Sequence, residues 1–276
     1  MRRFLPLPLR SATPGEPVTT GWTLPEPLAE RGPRVIGATG GSGTRVLARI
    51  VWAGGMFIGT RLNDYEDAID FGAYSDRWIN PWVSANGSLP EPELAAMTSE
   101  LGDIVTRHCA DLPAEARCWG WKEPRSIYLL PYLDSVMPTL RYVHFVRDGR
   151  DMAFSENQNQ LRKHGGAVLD ADEQRLEKPL QSISVWTRVN LGAADFGEHV
   201  LGDRYLRIRF EDLCADPGKT ARRVFDFFEL EGDAEGVASE TVRPPSTLGR
   251  WRGEKESTVQ ALQEIAGPGL ARFGYA

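Results

Sequence analysis

A glycine-rich turn between an apolar run and an amphipathic segment is the sequence feature that most restricts the fold of this chain. The run RVI (34–36) is followed by GATGGSGTR (37–45), which has four glycines in its first seven residues, and then by VLARIVWAGG. This pattern is typical of a strand that turns sharply into a helix, where free backbone N–H groups and the helix dipole favour an anion. We therefore expect residues 37–45 to bind a phosphate group.

Length and charge restrict the class of protein further. A chain of 276 residues, 41% of them hydrophobic and 25% charged, is long enough to bury the core of one large domain. A formal net charge of −6 disfavours a nucleic-acid-binding protein, which would show a basic excess. The three cysteines are widely spaced and match neither a disulfide framework nor a zinc motif, so no metal site is predicted: Cys109, Cys118 and Cys214.

The first residues of the chain are interrupted by prolines and contain no apolar run as long as a signal-peptide core or a membrane span. We expect a cytoplasmic protein without a membrane span. Residues 1–33 are predicted to be loosely structured, and residues 34–276 to form the folded domain.

Short apolar segments alternate with amphipathic segments along the rest of the sequence. We predict strands at residues 34–38, 118–122, 141–146 and 204–210, and helices at residues 44–53, 91–109, 126–136, 148–162, 180–199 and 218–230. This order predicts a single α/β domain with a P-loop-like, doubly wound parallel sheet and helices on both faces. Ligands of such sheets bind at the carboxyl ends of the strands, where residues 37–45, 122–125 and 147–151 would meet.

The glycine turn alone leaves its ligand open. Its spacing is similar to the turn of short-chain dehydrogenases, but no tyrosine in the chain has a lysine four residues later, as the catalytic pair of those enzymes requires. An ATP-binding P-loop would end in Gly-Lys-Ser/Thr, and Ser42-Gly43-Thr44 stands there instead. A second anion-binding pattern follows the strand at 141–146, where Arg147 precedes Ser155 by eight residues. Two phosphate sites on two strands indicate a nucleotide that is phosphorylated at both ends of its ribose.

These segments together resemble the sulfotransferase family that uses 3′-phosphoadenosine-5′-phosphosulfate as its co-substrate. The resemblance implies that the 5′-phosphosulfate is bound by the glycine loop, namely by Gly40, Gly41, Ser42, Gly43, Thr44 and Arg45. It implies that the 3′-phosphate is bound by Arg147 and Ser155. The stretch YLRIRFEDLCADP (205–217) is similar to the late strand and loop of the family, and the tail GRWRG…FGY resembles bacterial and carbohydrate-type members. From this tail we expect Arg250, Trp251 and Arg252 to close over the bound donor.

The sequence departs from the family pattern at the two positions that carry the chemistry. Gly41 stands where the family usually has a lysine or arginine, so the cation that assists the leaving group must come from elsewhere. Lys122, in WKEPRS, resembles the lysine of the Lys-Asp-Pro segment of tyrosylprotein sulfotransferases, and Arg125 is a second candidate. Pro124 stands where the cytosolic branch has a histidine base, so the resemblance to the glycan and tyrosyl branches implies a carboxylate base.

The acidic segment RLNDYEDAIDF (61–71) supplies four candidates for that base: Asp64, Glu66, Asp67 and Asp70. We favour Asp67 and Asp70 over Asp64. Asp67 and Asp70 would share a face if the segment were helical. The predicted function is sulfuryl transfer to a hydroxyl of a small-molecule or carbohydrate acceptor. The alternatives are a short-chain-type oxidoreductase that binds NAD(P), and a protein of the same fold that binds a nucleotide without catalysis.

Overall fold

A five-stranded parallel sheet in the order β2-β3-β1-β4-β5 lies at the centre of the computed structural model, which describes residues 21–276. The strands are β1 (Arg34–Gly37), β2 (Met56–Phe57), β3 (Cys118–Lys122), β4 (Arg141–Val146) and β5 (Tyr205–Arg209). The predicted α/β fold with a doubly wound parallel sheet is confirmed. Strand β2 escaped the sequence analysis because two residues are too few to show a periodic pattern.

Helices cover both faces of this sheet. They are α1 (Glu26–Arg31), α2 (Thr44–Ala53), α3 (Ile69–Ser84), α4 (Glu91–Cys109), α5 (Leu130–Val136), α6 (Gly149–Ala153), α7 (Asn159–Val168), α8 (Lys178–Phe196), α9 (Phe210–Ala215), α10 (Pro217–Phe228), α11 (Ala234–Thr241) and α12 (Glu256–Arg272). The helices predicted at 44–53 and 91–109 are confirmed with the same bounds. The sequence analysis did not predict α1, α3, α9, α11 or α12.

Successive residues of the central strands face opposite layers, as a strand buried on both sides requires. Val35 of β1 packs into a cluster that includes Trp121 and α3, α4 and α8, whereas Ile36 packs into a cluster with α2 and α10. Tyr142 and Val143 of β4 are divided between the same two clusters. The two hydrophobic layers, one on each face of the sheet, therefore both receive side chains from the same strands, because successive residues point to opposite faces.

The register of the strands brings three chain segments to one edge of the sheet. Ile36 of β1 pairs with Lys122 at the end of β3, and Gly37 pairs with His144 of β4. The amide of Ala38 donates to the carbonyl of Pro124 at 2.8 Å, which extends the contact beyond the strands. The glycine turn, the segment after β3 and the segment after β4 therefore open side by side at the carboxyl edge.

The helix predicted at residues 148–162 is wrong in its middle. Helix α6 ends at Ala153 and α7 begins at Asn159. Between them, the hydroxyl of Ser155 accepts from the amide of Asn157 at 3.2 Å, and the side-chain amide of Gln158 donates to the carbonyls of Met152 and Ser155 at 3.0 and 2.8 Å. These local side-chain bonds replace helical backbone bonds and end the helix.

Residues 21–33, which belong to the segment expected to be loosely structured, contain a helix in the structure. The indole of Trp119 on β3 donates to the carbonyl of Leu28 in α1 at 2.8 Å, and the guanidinium of Arg31 donates to Pro113 and Ala116 carbonyls. Residues 1–20 lie outside the described residues. Within residues 21–276, no helix is both long enough and apolar enough to span a bilayer.

Candidate functional site

The glycine loop enters α2 with the geometry of an anion site. Gly43, the residue before α2, has a left-handed backbone with φ 82°, and no described side chain caps the helix there. The first turn of α2 has no carboxylate, so its N–H groups and the positive end of its dipole remain available to an anion. A Cβ atom at Gly43 would lie 2.6 Å from the ring of Phe210, which explains the glycine at this position.

Buried hydroxyl and amide groups hold this loop in place. The hydroxyl of Ser42 donates to the carbonyl of Thr39 at 2.6 Å, and the amide of Asn190 in α8 donates to the hydroxyl of Thr39 at 3.3 Å. The carbonyl oxygen of Asn190 lies 2.8 Å from Nε2 of His144, whose Nδ1 lies 2.7 Å from the hydroxyl of Tyr205. Burial lowers the pKa of His144 to about 4, so the ring is neutral at pH 7. A hydrogen-bonded chain thus connects the loop to β5.

Gly41 lies where the family usually places a cation, and the structure gives it little room for a side chain. Its backbone is left-handed with φ 83°, and a Cβ atom there would lie 3.1 Å from the hydroxyl of Ser155 and 3.4 Å from Cε of Met152. The structure therefore brings Ser155 against the glycine loop. Arg45, the nearest cation in sequence, is exposed and lies over the ring of Tyr65 at 5.6 Å.

The predicted cation and one predicted base are in direct contact. The side chain of Lys122 is 1% exposed, and its ammonium group donates to the carboxylate of Asp67 and to the carbonyl of Tyr65. Burial lowers the pKa of Lys122, and the Asp67 carboxylate opposes that shift by favouring the charged form. The side chain of Asp67 is 23% exposed, so the pair lies at the border between the sheet edge and solvent.

The two predicted carboxylates do not share a helix face, because α3 begins at Ile69. Asp67 lies in the loop before α3, whereas Asp70 lies in its first turn and pairs with Arg61 at 3.0 Å. Glu66 pairs with Arg49 of α2 at 2.6 Å. The structure therefore joins Asp67 to Lys122 and turns Asp70 and Glu66 to other partners.

Arg125, the second candidate for the leaving-group cation, is bound to α3. Its guanidinium donates to the carbonyl of Gly72 at 2.9 Å, to the carboxylate of Asp76, and to Glu123 at 2.8 Å. Glu123 also accepts from the hydroxyl of Ser75 at 3.0 Å, and burial raises its pKa. These contacts fix the turn after β3 and give Arg125 a structural use.

The second anion pattern forms a buried guanidinium site beside the loop. Arg147 is 5% exposed and donates from Nη2 to the carbonyl of Thr247 at 2.8 Å and to Asp151 at 3.1 Å. Its guanidinium lies 4.9 Å from the centre of the Phe210 ring. Its Nε is buried and finds no hydrogen-bond partner among the described residues. The Nε atoms of Arg34 and Arg209 share this property, and the free N–H of Arg147 is available to an anion.

The tail segment docks onto α6 through Asp151. This carboxylate is 1% exposed and accepts from the backbone amides of Gly249 at 2.8 Å and Trp251 at 3.4 Å. Arg250 donates to the carbonyl of Phe154 at 3.2 Å. The ring of Trp251 lies 4.0 Å from the guanidinium carbon of Arg150 and 4.8 Å from that of Arg252. The tail is a turn with a short 3₁₀ segment.

A pocket opens beside Gly40, between the glycine loop and helices α7 and α8. Its polar lining side chains are all uncharged: Thr39, Asn157, Gln158, Gln160 and Ser182. Gln160 is held by the hydroxyl of Tyr128, which donates to it at 3.1 Å. The arrangement can hydrogen-bond a neutral ligand next to the loop.

Sequence reasoning missed three residues of this site. Asp151 has a signal that could have revealed it, since it stands four residues after Arg147 at a helix start, the spacing of an ion pair. Phe210 and Thr247 reach the site through tertiary contacts of distant segments, and their sequence neighbourhoods carry no such signal. Among residues 21–276 there is no group of three or more side chains suited to hold a metal ion.

Known proteins resemble this chain in sequence and in fold. A family model described as "Sulfotransferase family" matches residues 61–234, which is more than half of the chain. Protein-tyrosine sulfotransferase 1 of Danio rerio is 27% identical over 203 residues, which cover 66% of this chain and 54% of that protein. The chain thus spans about half the length of this curated relative.

Solved structures share the fold at low sequence identity. The sulfotransferase domain from the Synechococcus PCC 7002 olefin synthase is 20% identical, with a TM-score of 0.50, and the match covers 89% of this chain and 98% of that chain. Sulfotransferase STF9 from Mycobacterium avium is 11% identical, with a TM-score of 0.52, and the match covers 90% and 79% of the two chains.

Proposed function

This chain belongs to the sulfotransferase family, and from this premise we propose that it transfers a sulfuryl group from 3′-phosphoadenosine-5′-phosphosulfate to a hydroxyl group of a small-molecule or carbohydrate acceptor. The observation that carries the choice of donor is the buried Arg147, whose Nε lacks a described partner. Arg147 directly follows β4, which pairs with the strand before the glycine loop. Two adjacent anion sites fit a nucleotide with phosphates on both sides of one ribose.

Each of the two sites would bind a different phosphate group of the donor. The loop from Gly40 to Arg45 would hold the 5′-phosphosulfate with its backbone amides and the start of α2, because these donors have no competing side-chain cap among the described residues. Arg147 and Ser155 would hold the 3′-phosphate, and the unpartnered Nε gives that phosphate a charge-assisted donor. Arg250, Trp251 and Arg252 would cover the donor from the tail, which already contacts Arg147 through Thr247.

The reaction needs a cation at the oxygen that leaves and a base at the oxygen that attacks. During transfer the bond between sulfur and the bridging phosphate oxygen breaks, and a bond between sulfur and the acceptor oxygen forms. Lys122 would stabilise the negative charge that develops on the bridging oxygen, in the place of the cation absent at Gly41. Asp67 would accept the proton of the acceptor hydroxyl. Asp70, which pairs with Arg61, is the weaker candidate for the base.

The pocket beside Gly40 offers polar side chains without charge, which favours a neutral ligand group there, and its lining includes neither Asp67 nor Lys122. Membership of the sulfotransferase family disfavours the alternative of a short-chain oxidoreductase. A nucleotide-binding protein without catalysis remains the competing proposal, because the family's loop cation is replaced by Gly41.

Calorimetry and turnover separate these proposals. We expect adenosine 3′,5′-bisphosphate to bind more tightly than ATP, which has phosphates on the 5′ side of its ribose only. We also expect it to bind more tightly than NADP, whose second phosphate is on the 2′ oxygen and not on the 3′ oxygen. We expect the protein to transfer ³⁵S from labelled donor to members of a library of neutral sugars and phenols, and Lys122→Met to abolish most of this transfer. Tighter binding of NADP would overturn the proposal, and bisphosphate binding without transfer to any acceptor would favour the non-catalytic protein.

A further inference from the structure

Asn63 organises the loop that carries Asp67. Its side-chain oxygen accepts from the backbone amides of Tyr65 at 2.8 Å and Asp67 at 3.0 Å. Its side-chain NH₂ group donates to Oδ2 of Asp67 at 3.2 Å. Its own backbone amide donates to the carbonyl of Asp67 at 3.0 Å, and its carbonyl accepts from Glu66 at 2.9 Å. One side chain therefore fixes both the backbone and the carboxylate of Asp67.

The two oxygens of the Asp67 carboxylate have different partners. Oδ1 accepts from the ammonium of Lys122, and Oδ2 accepts from the side chain of Asn63. In the proposed reaction Lys122 stabilises the negative charge on the leaving oxygen, so its hydrogen bond to Oδ1 of Asp67 must break. The bond from Asn63 to Oδ2 does not depend on Lys122, and it keeps the carboxylate in place while Oδ1 becomes available.

The same loop stores backbone strain at the residue before Asp67. Glu66 has a φ of 56°, in the left-handed backbone region that residues other than glycine and asparagine rarely adopt. Arg49 of α2 holds its carboxylate with two hydrogen bonds of 2.8 and 2.6 Å to Oε1. This ion pair holds Glu66 and not Asp67, so it can be removed without loss of a hydrogen bond to the Asp67 carboxylate.

We propose that Asn63 is a positioning residue for the acceptor-activating carboxylate: it holds Oδ2 of Asp67 so that Oδ1 faces the acceptor hydroxyl once Lys122 has moved to the leaving oxygen. The inference rests on the proposed sulfuryl transfer. It adds a residue that touches neither donor nor acceptor and acts only through Asp67.

The test variant is Asn63→Ser. A serine hydroxyl can still accept from a backbone amide two residues later, so the turn is kept, but it cannot deliver the NH₂ group to Asp67. We expect kcat to fall about 10- to 100-fold, the usual size of a lost hydrogen bond to a charged group, while KM for the donor changes less than about 3-fold. The matched control is Arg49→Gln, which removes an exposed ion pair from the same loop without touching Asp67, and its kcat should fall less than about 5-fold.

A double-mutant cycle separates positioning from folding of the loop. In an Asp67→Asn background we expect Asn63→Ser to change kcat less than about 3-fold, because the carboxylate to be positioned is gone. Additive losses in the double variant, or equal losses in Asn63→Ser and Arg49→Gln, would overturn the inference. A wild-type protein without turnover would overturn the proposed function and this inference with it, whereas an active wild type and an equally active Asn63→Ser would overturn the inference alone.

Discussion

The ammonium group of Lys122 and the carboxylate of Asp67 form an ion pair at the carboxyl end of β3, across 55 positions of sequence. Lys122 is fixed to the sheet, whereas Asp67 lies on the loop before α3. Each group therefore neutralises the other in the structure described here. A phosphosulfate that draws the ammonium away would also free the carboxylate, which links the two halves of the proposed chemistry.

Replacement of Lys122 should reduce turnover far more than donor binding. We expect Lys122→Met to lower kcat by about two to three orders of magnitude, because one preorganised donor contributes roughly 2.7–4 kcal/mol to a transition state. Lys122→Arg should recover only part of this loss, since a planar fork replaces a point charge poorly. Steady-state kinetics and bisphosphate calorimetry measure both effects. Lys163→Met, which removes another lysine paired to an aspartate, is the control. Near-normal turnover of Lys122→Met would make this lysine structural.

Loss of the Arg147 guanidinium should weaken the binding of nucleotides that carry a 3′-phosphate. We expect Arg147→Ala to weaken the binding of adenosine 3′,5′-bisphosphate by about 1.5–3 kcal/mol more than the binding of adenosine 5′-phosphate. This difference is the usual contribution of hydrogen bonds to a charged group. Calorimetric titration of both ligands into both proteins gives the difference. An equal loss for the two nucleotides would remove Arg147 from the 3′-phosphate site.

The tail should loosen when its anchor on α6 is removed. Asp151→Asn weakens the acceptor of the Gly249 and Trp251 amides, so we expect trypsin to cleave after Arg250 and Arg252 faster than in the wild type. Saturating bisphosphate should slow this cleavage if the tail covers the donor. Asp216→Asn, which alters the cap of α10, should leave the cleavage rate of the tail unchanged. If saturating bisphosphate does not slow trypsin cleavage of the wild-type tail, the tail does not close over the donor.

A lysine placed at Gly41 should not restore the family's cation. The left-handed backbone there costs a side chain about 1–2 kcal/mol, and the Cβ would press on Ser155. We expect Gly41→Lys to lower the melting temperature and to weaken bisphosphate binding. Gly55→Lys is the matched control, since its φ is 87° and no described atom lies within 4 Å of a Cβ there. Both variants carry the strain, so a loss of binding in Gly41→Lys alone reports the crowding by Ser155.

Acid should destabilise the fold through His144. Its pKa in the folded protein is lowered to about 4 by burial, so the unfolded chain takes up a proton first as the pH falls below the ordinary value of 6.5. The free energy of unfolding should therefore decline between pH 6.5 and 4, by about 3 kcal/mol for this residue. Urea unfolding of wild type and His144→Gln at pH 7 and pH 4.5 measures the difference. Parallel losses in the two proteins would assign the acid sensitivity to other groups.

The sequence predicts those parts of the molecule that local patterns determine. Alternation of apolar runs with amphipathic segments was sufficient for the parallel sheet, and the glycine spacing was sufficient for the turn before α2. The break at residues 154–158 was missed because the side chains of Ser155 and Gln158 compete with the helix in a way that hydrophobic periodicity does not report.

Contacts across the sheet edge lie beyond such patterns. The pairing of Lys122 with Asp67 could not be read from their spacing, because it depends on how α3 returns to β3. The same holds for Asp151. Its spacing from Arg147 indicates their ion pair, but nothing in the local sequence indicates that it accepts from backbone amides of the tail. Ion pairs between distant segments follow from the packing of the elements that carry them.

Phe210 touches both proposed phosphate sites without carrying charge. Its ring would contact any Cβ at Gly43 and lies under the guanidinium of Arg147. The ring therefore lies against both the glycine loop and the guanidinium. If the proposed donor binds at these two sites, the position of this ring would make the distance between its phosphates, and not their charge alone, a condition for binding.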